Sequence, residues 1–109
     1  MSKRHRYYKI SALAMVSACL LACTNPVPVQ EMSNARQTLA AAKQAQAQQF
    51  APEPYEKAQV LLAKAAKQLN SGDYYGAKAY AVEAQLEAGQ AHRAALMSQK
   101  SQGILLKYP

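Results

Sequence analysis

The sequence offers few aromatic or sulfur-containing side chains from which to build a core. It contains no tryptophan, a single phenylalanine (Phe50) and two cysteines, Cys19 and Cys23, both near the N-terminus. Small exported domains often rely on disulfides, but no cysteine follows residue 23. A disulfide within the body of the chain is therefore excluded, and packing alone must hold the fold together.

Side chains typical of catalytic and metal sites are also scarce. After the second cysteine the chain has one histidine (His92) and four serines, and it has no glycine-rich phosphate loop or metal-ligand cluster. Glu83 and Glu87 could share a metal ion, but a solvated helix face opposite Lys57 is the favoured interpretation. His92 and Arg93 similarly predict a surface pair. We expect no enzyme activity, no metal and no small-molecule substrate.

The apolar run near the N-terminus is short for a membrane-spanning helix, so a permanent transmembrane anchor is the weaker interpretation. The uncharged segment 10–22 has 13 residues, whereas a spanning helix needs about 20. It follows a basic stretch, residues 1–9, that holds four of the 13 Lys and Arg residues and no acid. This order is typical of an export signal. We therefore predict that residues 1–22 are a cleaved signal peptide.

Cleavage of this signal would remove most of the positive charge. The whole chain has a net charge of +7, but the part after residue 22 keeps nine basic and six acidic residues, a net charge of +3. The high isoelectric point therefore belongs largely to the export signal. We expect no nucleic-acid partner, because a strongly basic domain would be its main sequence indication.

The end of the apolar run resembles the lipobox of bacterial lipoproteins. Leu20, Leu21 and Ala22 stand before Cys23, with an aliphatic residue at −3 and a small one at −1. The resemblance implies that a signal peptidase recognises these three residues. It also implies that the Cys23 thiol becomes a diacylglyceryl thioether and that the new amino group takes a further acyl chain. Two or more chains hold a protein firmly on membrane lipid, and we expect no other cofactor.

A second site, Val16–Cys19, also fits the lipobox pattern. Cleavage there would leave an apolar Leu-Leu-Ala at the start of the mature chain, whereas cleavage before Cys23 leaves the polar, proline-rich segment 24–30, which suits an extended tether. We therefore favour Cys23. Thr24 follows it where, in lipoproteins of two-membrane bacteria, aspartate tends to retain the protein in the inner membrane. The resemblance implies the outer membrane, facing the periplasm.

The remainder of the chain predicts an all-α fold. It holds 19 alanines after residue 23, and alanine has the highest helix propensity, while no segment shows strand alternation. We predict an antiparallel three-helix bundle or a helical hairpin. The predicted helices span about 31–49, 54–69 and 73–100, in a domain over 31–102 that follows the acylated cysteine and tether (23–30). An apolar tail, 103–109, either caps the bundle end or binds a partner.

Local signals set the predicted helix ends. Pro54 suits the first position of helix two, Gly72 lies just past its end, and Asp73 can cap helix three. The short turn makes helices two and three antiparallel and places Lys57 near Glu87. Helix three is predicted to be longer than helix two, so its last turns must overhang, pack on helix one or meet another molecule.

Small residues at heptad-like spacing mark the predicted helix contacts. Alanine lets two helices approach closely, and the spacing resembles that of a coiled coil, so self-association is one open possibility. The predicted seams are Met32, Ala35, Leu39 and Ala42 in helix one, Tyr55, Ala58, Leu62, Ala65 and Leu69 in helix two, and Ala77, Ala81, Ala84, Ala88, Ala91 and Ala95 in helix three. Tyr74, Tyr75 and Tyr80 either wrap the turn, which we favour, or form an aromatic patch that binds a partner.

The order of these motifs resembles a known family. The motifs are Ala35-Arg36 with Leu39, Ala51-Pro52 with Tyr55 and Ala58, Leu62 with Ala65, and Gly72-Asp73-Tyr74 with Ala77, Ala81 and Ala84. Over residues 31–95 the chain is similar to a short helical domain of unknown function in bacterial envelope lipoproteins. In relatives that domain often precedes an OmpA-like peptidoglycan-binding domain, for which we expect no room before Pro109.

Two functional hypotheses follow from these features. The leading one is a non-catalytic, lipid-tethered module of the cell envelope that acts through an envelope protein partner or through self-association. The alternative starts from the turn at Gly72–Tyr74, which resembles one tetratricopeptide unit and implies a helical module that binds a peptide or an envelope polymer. Such units normally occur in arrays of three or more, and only one is visible here.

Overall fold

The computed structural model describes residues 27–107. Within this range the chain forms four α-helices and no β-strand, which confirms the all-α prediction. The helices are α1 (Val29–Gln44), α2 (Ala47–Phe50), α3 (Pro52–Asn70) and α4 (Tyr74–Lys107).

The long helix α4 is the element on which the other helices pack. α3 returns along it in the antiparallel direction, as shown by the contact between Lys57 and Glu87. α1 runs parallel to it, because Glu31 pairs with Lys78 at 3.2 Å and the Gln99 side chain donates a hydrogen bond to the Ala45 carbonyl at 2.7 Å. Successive long helices therefore run in opposite directions.

The core of the described residues is thin because it consists mainly of alanine. Of 16 buried apolar residues, 13 are alanines, and the larger ones are Met32, Tyr55 and Leu61. The six predicted alanines of α4 are all at most 2% exposed, so the predicted stripe is the buried face of that helix. Each such residue buries little apolar area, and stability must come from close helix approach over a long contact.

The predicted seam of α3 needs one correction. Leu62 and Leu69 are only half-buried, whereas Leu61, which the seam left out, is buried against Ala35 and Ala84. α3 contacts both α1 and α4, so its apolar stripe is wider than the narrow seam of a two-helix contact.

The first helix is shorter than predicted. It ends at Gln44 instead of Gln49, and Gln46 adopts a left-handed conformation with φ of 60°. Such a conformation costs a residue other than glycine about 1–2 kcal/mol. The break redirects the chain so that Ala47 is buried and Phe50 packs near Ala91. Burial of this turn against α4 outweighs the high helix propensity of its sequence.

Helix α3, which corresponds to the predicted helix two, begins two residues earlier than predicted, at Pro52 instead of Pro54. The first four amides of a helix have no partner within it. A proline in the first turn therefore loses no hydrogen bond, and both prolines fit there. Glu53 lies in this first turn, where its charge complements the helix dipole.

The turn between α3 and α4 confirms the predicted stop and cap. Gly72 has a positive φ of 83°, and its amide donates to the Leu69 carbonyl at 3.1 Å, while the Asp73 amide donates to the Gln68 carbonyl at 2.9 Å. This pair of bonds is the Schellman arrangement. The Asp73 carboxylate then accepts a hydrogen bond from the Gly76 amide at 2.9 Å, which satisfies a free donor of α4.

The C-terminal prediction is wrong in one respect. Helix α4 does not end near Lys100 but continues through Gly103 to Lys107. One glycine costs a helix only about 1 kcal/mol, and the residues after it favour helix. Residues 100–107 are all exposed; we call them the overhang. They extend the helix past its partners and do not cap the bundle.

Candidate functional site

The predicted lipid-attachment site lies outside the described residues. This prediction concerns Cys23, the recognition residues Leu20, Leu21 and Ala22, and the competing Cys19. The structure does fix where the chain that follows them enters the bundle. α1 begins at Val29, and its residue Glu31 contacts Lys78 near the start of α4. The chain that precedes α1 therefore joins the bundle at the end that holds the α3–α4 turn.

The three tyrosines proposed as a partner-binding patch lie on different faces of α4. Tyr80 is half-buried, packs beside Ala65 and Ala81, and has the Lys64 ammonium 5.8 Å from its ring centroid. Tyr75 is 89% exposed and, at 100° per residue, lies about 140° around the helix from Tyr80. Tyr74 is partly exposed. Tyr75 does not wrap the turn, and the three rings do not form one surface.

The Lys57–Glu87 ion pair predicted from the antiparallel register is present. The Lys57 ammonium lies 2.5 Å from the Glu87 carboxylate. The hydrogen bond that Lys57 donates to Glu87 raises the pKa of Lys57, and the negative charge of Glu87 acts in the same direction. The pair lines an open hollow together with Glu53, Pro54 and Gln90. Lys57 and Glu87 neutralise each other, and Glu53 is the third charged group that lines the hollow.

A second ion pair links α1 to α4. Lys78 and Glu31 approach to 3.2 Å, and the pKa of Glu31 is lowered, first by a backbone hydrogen bond at the start of α1 and then by Lys78. Sequence reasoning missed this pair, because it depends on the parallel packing of α1 on α4.

Within residues 27–107, no three His, Cys, Asp or Glu side chains come together in a way that could hold a metal ion. Glu87 faces Lys57, while Glu83 points to solvent and His92 is half-buried beside the exposed Arg93. Nor does this part of the chain contain a buried side-chain N or O atom without a hydrogen-bond partner.

Sequence reasoning also missed a row of exposed apolar residues on α4, which we call the outward ridge. Its members are Tyr75, Val82, Leu86, Met97 and Ile104, with Leu86, Met97 and Ile104 exposed to 62%, 71% and 51%. At 3.6 residues per turn these positions fall within about 60° of each other and lie opposite the alanine stripe. The spacing indicates the ridge, but its members are less regularly spaced than the alanine stripe on the opposite face of the same helix.

The overhang is also apolar near its end. Leu105 and Leu106 are highly exposed, because this part of α4 continues past the helices that cover the alanine stripe. A helix with exposed aliphatic residues on several sides is typical of a segment that meets a partner.

Among the described residues, no helix has both the length and the hydropathy needed to cross a bilayer.

Comparison with known proteins gives one family. The model of the domain of unknown function DUF4398 matches residues 30–103, which include nearly all of the four helices. No curated protein and no solved structure matches the chain. The family match agrees with the sequence resemblance to a helical domain of unknown function. The chain belongs to the DUF4398 family.

Proposed function

We propose that this protein is a lipid-anchored module of the bacterial envelope, held on the outer membrane through an acylated Cys23 and facing the periplasm. The observation that carries the proposal is the lipobox-like Leu20–Cys23. It ends an export-signal pattern only a few residues before α1 begins at Val29.

The short distance between Cys23 and α1 supports a close attachment. Residues 24–28 span at most about 18 Å when fully extended, and prolines at positions 26 and 28 favour an extended backbone. The end of the bundle with the α3–α4 turn would therefore stay close to the lipid surface. α4 is about 51 Å long for its 34 residues, so its overhang lies well beyond the reach of the tether.

The proposed role is structural or protein-binding and does not involve catalysis. The hollow beside Lys57 and Glu87 contains a neutralised pair, whereas the overhang presents Leu105 and Leu106 to solvent. Exposed aliphatic side chains on a helix suit a groove on another protein. We propose that an envelope protein is the partner of the overhang.

Two cysteine variants test the anchor. Cys23→Ser should leave the protein without acyl chains and outside the membrane fraction, while Cys19→Ser should be acylated and should sediment with membranes like the parent chain. The reverse result would place the anchor at Cys19. Membrane association and acylation of both single variants, or the absence of acylation from the parent chain, would contradict the proposal.

Thr24→Asp tests the compartment separately. Under the sorting rule for lipoproteins of two-membrane bacteria, this variant should move to the inner-membrane fraction of a density gradient, whereas Thr24→Ser should stay with the outer membrane. If the parent chain is already found in the inner membrane, the proposed location is wrong even if Cys23 is acylated.

Cross-linking in intact cells tests the partner. A photo-reactive residue at Leu105 should capture a discrete envelope protein, and the same residue at Val60, an exposed aliphatic of α3, should not. Capture at both positions alike, or of no discrete protein at Leu105, would argue against a specific contact by the overhang.

A further inference from the structure

The outward ridge of α4 has no partner within the described chain. It extends from Tyr75 to Ile104, about 43 Å at 1.5 Å per residue, and its large side chains are exposed. Two cations, Arg93 and Lys100, lie on the same helix face between the apolar members of the ridge. Exposed apolar side chains aligned in this way normally mark a contact. Ala79 lies in the same row and contributes a small side chain that permits close approach.

We propose that the ridge binds a second copy of this chain, with the two α4 helices antiparallel and related by a twofold axis near Gly89 and Gln90. In such a pair the numbers of two facing residues always add up to 179. Tyr75 faces the second copy's Ile104, and Val82 faces its Met97. Every large apolar residue of the ridge except Leu86 then meets another large apolar residue.

The charged residues of the ridge favour a second copy over an anionic lipid surface. Leu86 faces the second copy's Arg93. Glu83 of the first copy lies about one helical turn from Leu86, within reach of the long side chain of that arginine. Neither Arg93 nor Glu83 belongs to the ion pairs of residues 27–107. An anionic lipid would be attracted by Arg93 but repelled by Glu83, whereas the second copy supplies an opposite charge to both. The same contact forms twice in the symmetric pair.

The remaining cation of the ridge is compatible with this pairing. Lys100 faces the second copy's Ala79 and can extend its ammonium to solvent. The nearest cation of the second copy, its Lys78, is already paired with Glu31. Lys100 therefore faces no unpaired cation of the second copy.

The arrangement also fits a common membrane, and this step rests on the proposed lipid anchor. α1 packs on one side of the ridge, through Lys78 and Gln99, and α3 packs on the other, through Tyr80 and Glu87. A twofold axis between antiparallel α4 helices places both copies of α1 on the same side of the pair. Both tethers can then reach a single lipid surface.

The size of the contact predicts a weak pair in dilute solution. A ridge about 43 Å long and about 10 Å wide buries on the order of 900 Å² over both copies. Specific interfaces usually exceed about 1,000 Å². Confinement of the chains to a membrane raises their effective concentration, so we expect pairing chiefly in the membrane-bound protein.

Cysteine cross-linking of the full chain in membranes of its host tests the register. With a short bis-maleimide, Gln90→Cys should cross-link to itself, since the two copies meet at this position. Tyr75→Cys should not cross-link to itself, but it should cross-link to Ile104→Cys when differently tagged chains are co-expressed. A parallel pair would also cross-link Gln90→Cys to itself, but it would cross-link Tyr75→Cys to itself and not to Ile104→Cys, and that result would overturn the proposal. The parent chain measures the background from Cys19 and Cys23.

A matched pair of surface variants tests the ridge itself. Leu86→Lys, in the Gln90→Cys background, places a lysine opposite the second copy's Arg93 and should reduce cross-linking at least about tenfold. Val60→Lys, on an exposed site of α3, should not change it. Equal cross-linking in both variants would overturn the proposal, as would an absence of product from Gln90→Cys. Failure of the chain to sediment with membranes would count against the lipid anchor alone, because a cross-linked product reports which residues of the two copies face each other whether or not the chain is bound to a membrane.

Discussion

Ala84→Leu tests the close packing on which the whole bundle depends. Ala84 is 2% exposed and packs in a cluster with Ala35 and Leu61, so three helices meet at this methyl group. Leucine adds three carbon atoms where the neighbouring backbones leave no space. Overpacking of this kind costs about 1–3 kcal/mol. In a domain of this size each kcal/mol lowers the melting temperature by about 4–8 °C.

The assay is thermal unfolding of the purified protein followed by the helical circular dichroism signal. Ala63→Leu, an exposed position of α3, is the matched control, because it makes the same chemical change without a buried neighbour. We expect Ala84→Leu to unfold at a clearly lower temperature than this control. Equal melting temperatures would refute the close-packed alanine contact between α4 and its neighbours.

Three further variants test local features, each by the same unfolding assay. Gln46→Gly should stabilise the protein by up to about 1 kcal/mol, because glycine accepts a positive φ, whereas Gln37→Gly in the middle of α1 should destabilise it by about 1 kcal/mol; destabilisation by both would refute the strain at Gln46. Asp73→Ala should cost about 0.5–2 kcal/mol through loss of the helix cap, and Asp73→Ser should retain most of it. The lowered pKa of Glu31 means that its contribution is present at neutral pH and is lost as the pH falls below the ordinary value of 4.5. Glu31→Gln should therefore flatten the acid side of the stability profile, and an unchanged profile would count against the Glu31–Lys78 pair.

The helical core could be predicted from sequence because small residues at regular spacing have few other uses. The alanine stripe of α4 fixed the buried face of that helix, and the positions of Gly72 and Asp73 fixed the turn and, through it, the Lys57–Glu87 contact. These features depend on local chemistry and on one short connection. Each could be derived without knowledge of how α1 packs on α3 and α4.

The features that sequence reasoning missed depend on tertiary contacts. Nothing near Gln46 signals a helix break, because the break is stabilised by burial of Ala47 against a helix about 45 residues away. Leu61 is buried only because α3 touches two neighbours. The outward ridge shares α4 with a more regular stripe. Gly103 looked like a stop signal, but a single glycine is too weak to end a helix without a cap.

The central claim of this account is that the mature protein begins at an acylated Cys23. Mass spectrometry of the N-terminal peptide from protein purified out of its host membranes tests this claim directly. We predict a peptide that starts at residue 23 and carries the added mass of a diacylglyceryl group and a further acyl chain. A chain that starts at Met1, or one whose residue 23 carries an unmodified thiol, would contradict it.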